Sequence, residues 1–136
     1  MGEIVAIWIK RAHGGVMERV DEAHLVARRG VADQDGWRQI TIVDQAAWKA
    51  AEMELGKKVD PAARRANVMI RGVDLENSRG KKLRLGDCLI DIRGENLPCR
   101  LMNEMQTPRP HWRAGVFGEI VQGGTIRVGE AAGHQL

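Results

Sequence analysis

The chain has 136 residues, the allowance of one domain at roughly 100–200 residues each, and 43% hydrophobic with 29% charged residues excludes a disordered or fibrous chain. Twenty-one Lys and Arg against eighteen Asp and Glu leave +3, scattered rather than gathered in a tail, so composition speaks only weakly for an anionic partner. The longest apolar run, Ile4 to Ile9, is six residues, far short of the ~20 a membrane helix needs and wrongly placed for a secretory signal. Ala6 stands where N-myristoylation at Gly2 would need Ser or Thr. Two cysteines, Cys88 and Cys99, are too few for a disulfide framework and too far apart for a zinc site, so a soluble, cytoplasmic protein is expected.

Ile4-Val5-Ala6-Ile7-Trp8-Ile9 is β-branched and aromatic without polar alternation, as in a strand buried on both sides, and Gly14-Gly15 marks a turn after it. Ala23 to Arg28 and Arg38 to Val43 are further strands, separated by a polar loop from Gly30 to Gly36. Asp44 is placed to cap a helix through Ala46, Ala47, Trp48, Ala50 and Ala51 that Gly56 stops, so Asp44 to Leu55 is expected as the longest helix. Asn67 to Ile70, Leu83 to Leu85 and Cys88 to Arg93 read as strands. Pro98 is suited to the first turn of a short helix carrying Cys99, and Gly115 to Val121 with Thr125 to Val128 flank Gly123-Gly124 in the manner of a hairpin. A short polar tail follows Gly129. Many short strands with Gly turns predict a mainly β chain folded as a closed barrel.

Alternation in Cys88-Leu89-Ile90-Asp91-Ile92-Arg93 puts Cys88 with Ile90 and Ile92 on one face, so Cys88 is expected in the core as a small hydrophobe. Cys99 lies between Pro98 and Arg100. If Pro98 begins a helix, free N–H groups and the neighbouring cation favour the thiolate, the form that binds a soft metal or carries sulfur; a packed cysteine in a short helix is the plainer alternative. Arg64, Arg65 and Arg71 surround the Asn67–Ile70 strand, either as an anion-binding edge or as solvated charge. Gly80-Lys81-Lys82 lacks the spacing of a phosphate-binding loop. His13, His24, His111 and His134 match no metal spacing, and Ser78, the sole serine, lies in a charged loop without a nucleophile elbow. Asp33 and Asp35 suit either acid–base work or turn formation.

Several segments in order resemble the MOSC family, named for the C-terminal domain of molybdenum-cofactor sulfurase: Arg29-Gly30-Val31-Ala32-Asp33, Arg38-Gln39-Ile40-Thr41, Arg65-Ala66-Asn67 leading to Gly72-Val73-Asp74-Leu75, Leu85-Gly86-Asp87, Leu97-Pro98-Cys99, Gly115-Val116-Phe117-Gly118, Gly123-Gly124 and Val128-Gly129-Glu130. The likeness spans Ile4 to Gly129. It implies a single domain over residues 1–136 with a core of about 4–129, folded as a distorted closed β-barrel of the pyruvate-kinase-barrel type with a few short helices. It also implies that Cys99 ligates molybdenum or carries sulfur, and that Arg65 and Asn67, with Arg38 and Asp33, bind molybdenum cofactor (molybdopterin). The chain departs from the family in having Ala32-Asp33 for the usual Gly-Asp and a short loop before Arg38. The implied activities are sulfur transfer or reduction of N-hydroxylated compounds. No pyridoxal-phosphate site is expected in the chain, so sulfur would come from a separate pyridoxal-phosphate-dependent cysteine desulfurase, and a molybdoenzyme is the other implied partner. From another class, a non-catalytic barrel recognising an anionic ligand or protein partner is the rival reading. One Phe and no Tyr leave few stacking platforms for single-stranded nucleic acid.

Overall fold

The computed structural model describes residues 2–10, 17–27, 30–31, 40–56, 58, 66–95, 112 and 115–135. They form the strands β1 (Gly2–Lys10), β2 (Met17–Val20), β3 (Glu22–Val26), β4 (Gly30–Val31) and β5 (Ile40–Asp44), the helix α1 (Gln45–Leu55), and the strands β6 (Val68–Arg71), β7 (Lys82–Leu85), β8 (Cys88–Glu95), β9 (Val116–Gln122), β10 (Gly124–Arg127) and β11 (Ala131–His134). The main sheet runs β11-β7-β8-β9-β5-β6-β1-β2, and β11 also pairs with β1, which closes seven of these strands into a barrel. The mainly β architecture is the one expected. A second sheet, β10-β3-β4, lies beside it.

Both faces of β1 are buried. Ile4, Ile7 and Ile9 join the barrel core, while Ala6 and Trp8 belong to a second cluster with Val43, Trp48, Ala51 and Met69. A register shift between Ile4 and Ala6 against β6 explains why Ile4 and Ile7, an odd number of residues apart, face the same way. The second cluster exists because β5 and β6 are parallel. Such a pair needs a crossover, and α1 supplies it on the barrel's outer surface, burying Trp48 and Ala51. Asp44 caps α1 as expected, its Oδ2 accepting the Ala47 N–H at 3.1 Å, and Gly56 ends the helix at φ 70°.

Two expectations are corrected. Thr125 to Val128 does not fold back on β9: β10 pairs with β3, residue for residue from Gly124↔Leu25 to Arg127↔Glu22. Gly123-Gly124 is therefore a corner between sheets rather than a hairpin turn. At Gly123 a Cβ would stand 2.4 Å from the Leu25 carbonyl oxygen, so only glycine permits the crossing. The residues after Gly129, read as a polar tail, form β11, which bonds β7 on one side and β1 on the other. Ala131-Ala132-Gly133-His134 carries little apolar signal because small residues suffice in a strand that seals a seam; only Ala132 enters the core.

β5, β6, β8 and β11 run one way, and β1, β7 and β9 the other. One barrel end thus gathers the C-terminal ends of the first group, the start of α1, and the stretch between β8 and β9. The opposite end is adjoined by the small sheet, where Ala23, Leu25 and Ile126 enter the main core and a Cβ on Gly124 would meet Cys88 Sγ at 3.4 Å.

Candidate functional site

Cys99, Arg65, Arg38 and Asp33 lie outside the described residues, as do the Gly14-Gly15 turn, Asp35, Arg64 and the Pro98 helix. What is described is the frame from which the stretch carrying Cys99 leaves and to which it returns. It leaves after Glu95, whose buried carboxylate accepts the backbone N–H of Trp112 through Oε2 at 2.7 Å. Trp112 adopts φ 63°, rare for a bulky residue, and is itself buried. The return continues through Gly115 at φ 89°, where a Cβ would stand 2.2 Å from the Ile42 carbonyl oxygen. The Trp112–Glu95 hydrogen bond thus ties the return of the Cys99 stretch to its departure, and the Gly115 crossing holds the return against β5.

Glu95 was not legible in the sequence. Alternation assigns it to the solvent face with Asp91 and Arg93, but β8 slips register between Ile92 and Gly94 against β9, and the extra residue brings Glu95 inside. Asp91 and Arg93 follow the pattern: Arg93 pairs with Glu119 and Asp91 on the exposed side, which raises its already high pKa.

Other polar groups collect at this end. Asp44 keeps Oδ1 buried without a side-chain or backbone partner of good geometry, and burial, with the Asp74 carboxylate adding to it, holds its carboxyl above the ordinary 3.8. His134 Nε2 stands 2.7 Å from the Asp74 carbonyl oxygen and so donates to it, leaving Nδ1 buried and unpaired. Ser78, wholly buried, donates its hydroxyl to the Leu75 carbonyl at 2.7 Å, so the sole serine is a loop brace.

Asn67 is the one candidate site residue among those described, and it stands at the start of β6, at the barrel end opposite to the one from which the Cys99 stretch leaves. It is buried, its Oδ1 accepts the Thr41 N–H at 2.9 Å, and its Nδ2 reaches the Trp8 carbonyl at 3.5 Å. Its backbone also joins both strands, donating to Thr41 and accepting from Trp8. This asparagine binds β1 and β5 at the start of β6; one Nδ2 hydrogen remains for a further acceptor. Arg71, from the arginine group around that strand, pairs on the surface with Glu3, the solvated-charge outcome.

Cys88 is wholly buried in the core, and burial, with Asp87 and Glu130 nearby, pushes its thiol up to about 11. No group of three or more His, Cys, Asp or Glu side chains among the described residues is arranged to hold a metal, and no described helix is long and apolar enough to cross a membrane.

Known proteins share this arrangement. Over 97% of the chain and 94% of the other, the fold superposes on YuaD from Bacillus subtilis with a TM-score of 0.78 at 18% identity. YiiM from Geobacillus stearothermophilus gives 0.68 at 14% identity over all of this chain and 76% of that one. YiiM from Escherichia coli gives 0.64 at 17% identity, with this chain covering 65% of its length. No curated protein matches the sequence. The profile of the MOSC domain matches residues 10–132, nearly the whole barrel from the end of β1 into β11, and the chain therefore belongs to the MOSC domain family, a domain type associated with molybdenum cofactor.

Proposed function

We propose that this protein works in molybdenum-cofactor chemistry through the thiolate of Cys99, which either ligates the cofactor's metal or accepts sulfur from a donor persulfide, releasing the donor's thiolate. The observation that supports this reading is the state of the other cysteine. Cys88 is sealed in the core with its thiol held near 11, so the chain's soft donor falls to Cys99, between Pro98 and Arg100. Arg65 offers a guanidinium fork for the cofactor's phosphate and Asn67 the Nδ2 hydrogen not spent on β1, with Arg38 and Asp33 completing the binding set. Because Asn67 stands at the barrel end opposite the anchor of the Cys99 stretch, a single site requires that stretch to reach the start of β6. The cofactor, when bound, supplies a redox centre for reducing N-hydroxylated compounds. In the sulfur-carrier reading a separate pyridoxal-phosphate-dependent desulfurase is the donor and a molybdoenzyme the recipient.

Two measurements test this. Iodoacetamide labelling followed by peptide mass spectrometry across pH 5 to 9 is expected to mark Cys99 already near pH 7, less so in Arg65→Ala, and to mark Cys88 only after denaturation. Metal and persulfide analysis of protein from a cofactor-producing host then separates the two fates: molybdenum lost in Cys99→Ala means ligation, and persulfide without metal means sulfur carriage. Absence of both, or faster labelling of Cys88, overturns the proposal.

A further inference from the structure

Residues 79–84 carry Arg79, Lys81, Lys82 and Arg84 and no acid. The whole chain is +3, so outside this segment it is net −1. The segment is fixed against β8: Gly80 N–H donates to the Ile92 carbonyl at 2.8 Å, Ile92 N–H to the Lys81 carbonyl at 2.9 Å, and Lys82 and Arg84 stand opposite Asp91 and Leu89. Because Leu83 and Leu85 enter the core, Lys82 and Arg84 point outward. At the upper end the Arg79 guanidinium lies along β8, where a Cβ on Gly94 would stand 3.1 Å from its Nη2. All four cations are exposed.

None of the four makes an ion pair among the described residues. Asp91, the acid facing Lys82, pairs with Arg93, which Glu119 also holds. The charges stand in a row instead of converging on a point, which suits a partner whose own charges are in a row. Lys82 and Arg84 are two residues apart on a strand, ~6.8 Å. An extended peptide repeats its side chains on one face at that same distance, so acids at every second residue come opposite both cations. There is room for its backbone. Beside Arg84 the outer face of β11 presents only Ala131 and Gly133, in an open groove of about 350 Å³, and a Cβ on Gly133 would meet nothing within 4 Å. Single-stranded nucleic acid fits less well, because Phe117, the aromatic on this side, is half-buried and offers its bases no free face.

We propose that the outer face of β7 and β11 is a docking surface for an extended acidic segment of a partner protein, its alternate carboxylates on Lys82 and Arg84 and its backbone in the groove over Gly133. The surface does not depend on the chemistry at Cys99. It is tested by fluorescence anisotropy with a labelled decapeptide of alternating glutamate and alanine, and with an oligothymidylate of matching charge under the same label. The expected result is saturable binding of one peptide per chain, tighter than the oligothymidylate and weakened as salt rises from about 0.05 to 0.3 M. Lys82→Gln combined with Arg84→Gln is expected to weaken the peptide about tenfold. The same loss of charge on β2 and α1, Arg19→Gln with Lys49→Gln, is expected to change it less than twofold. Gly133→Leu fills the groove without removing a charge and is expected to weaken the peptide about fivefold. Absence of binding, equal losses in the two double variants, or tighter binding of the oligothymidylate overturns the proposal.

Discussion

At the barrel end beside β3, β4 and β10, apolar side chains meet backbone: Leu25 and Ile126 are buried, Gly123 lets one strand cross another, and Cys88 is enclosed as a small hydrophobe. At the opposite end, where the Cys99 stretch is anchored, lie Asp44 Oδ1, Trp112 Nε1 and His134 Nδ1, the three buried side-chain atoms without a partner among the described residues. Glu95 and the positive φ of Trp112 are there too. Buried polar groups left unpaired cost stability, and their gathering at one end among the described residues marks that end for something other than packing. The contrast teaches that one end of this barrel is built for closure and the other for positioning.

Removing packing from the closed end breaks the contrast most severely. Ile126→Ala opens a cavity where the small sheet joins the core and is expected to cost about 3 kcal/mol. Urea unfolding should show a lower midpoint with an unchanged slope, and Cys99 labelling in the native protein should stay as in the wild type.

Glu95→Ala, at the positioning end, leaves the buried Trp112 N–H without its acceptor and is expected to cost about 2 kcal/mol. Its distinguishing effect is a changed rate of Cys99 alkylation with Cys88 still protected, which Glu95→Gln, retaining an oxygen acceptor, largely restores. Unchanged Cys99 reactivity in Glu95→Ala would remove the carboxylate from the positioning role.

Asp44 gives the smallest effect and the one with a pH signature. Its folded pKa is raised, mainly by burial, above the 3.8 of the unfolded chain. The folded state therefore holds the proton more tightly, and the resulting stability is fully present below about 3.8 and lost as pH rises through the folded value. Asp44→Asn, which keeps an oxygen for the Ala47 N–H, is expected to gain on the wild type as pH is raised from 4 to 7, and Asp44→Ala to lose about 1 kcal/mol of helix capping. Parallel stability–pH curves for wild type and Asp44→Asn would count against the buried-carboxyl reading.

The fold was largely legible because its signals are local. The apolar run Ile4 to Ile9, the Asp44 cap with the Gly56 stop, and the Leu85-Gly86-Asp87 approach to Cys88 each name their structure within a few residues. The core placement of Cys88 followed from alternation alone. Less was legible where partners are remote. A double glycine reads the same in a hairpin and in a corner, and β11, made of small residues, takes its identity from the two strands it joins.

By itself, the sequence determined a β-rich chain of short strands with one capped helix, and the division between a core thiol and a cysteine flanked by proline and arginine. Only the tertiary structure decided that Glu95 faces inward, that Asn67 ties three strands together, and that the unpaired polar atoms share one end. Each of these depends on register between strands far apart in the chain. A one-residue slip in a sheet exchanges inside for outside, and no periodicity within a single strand records where its neighbour has slipped.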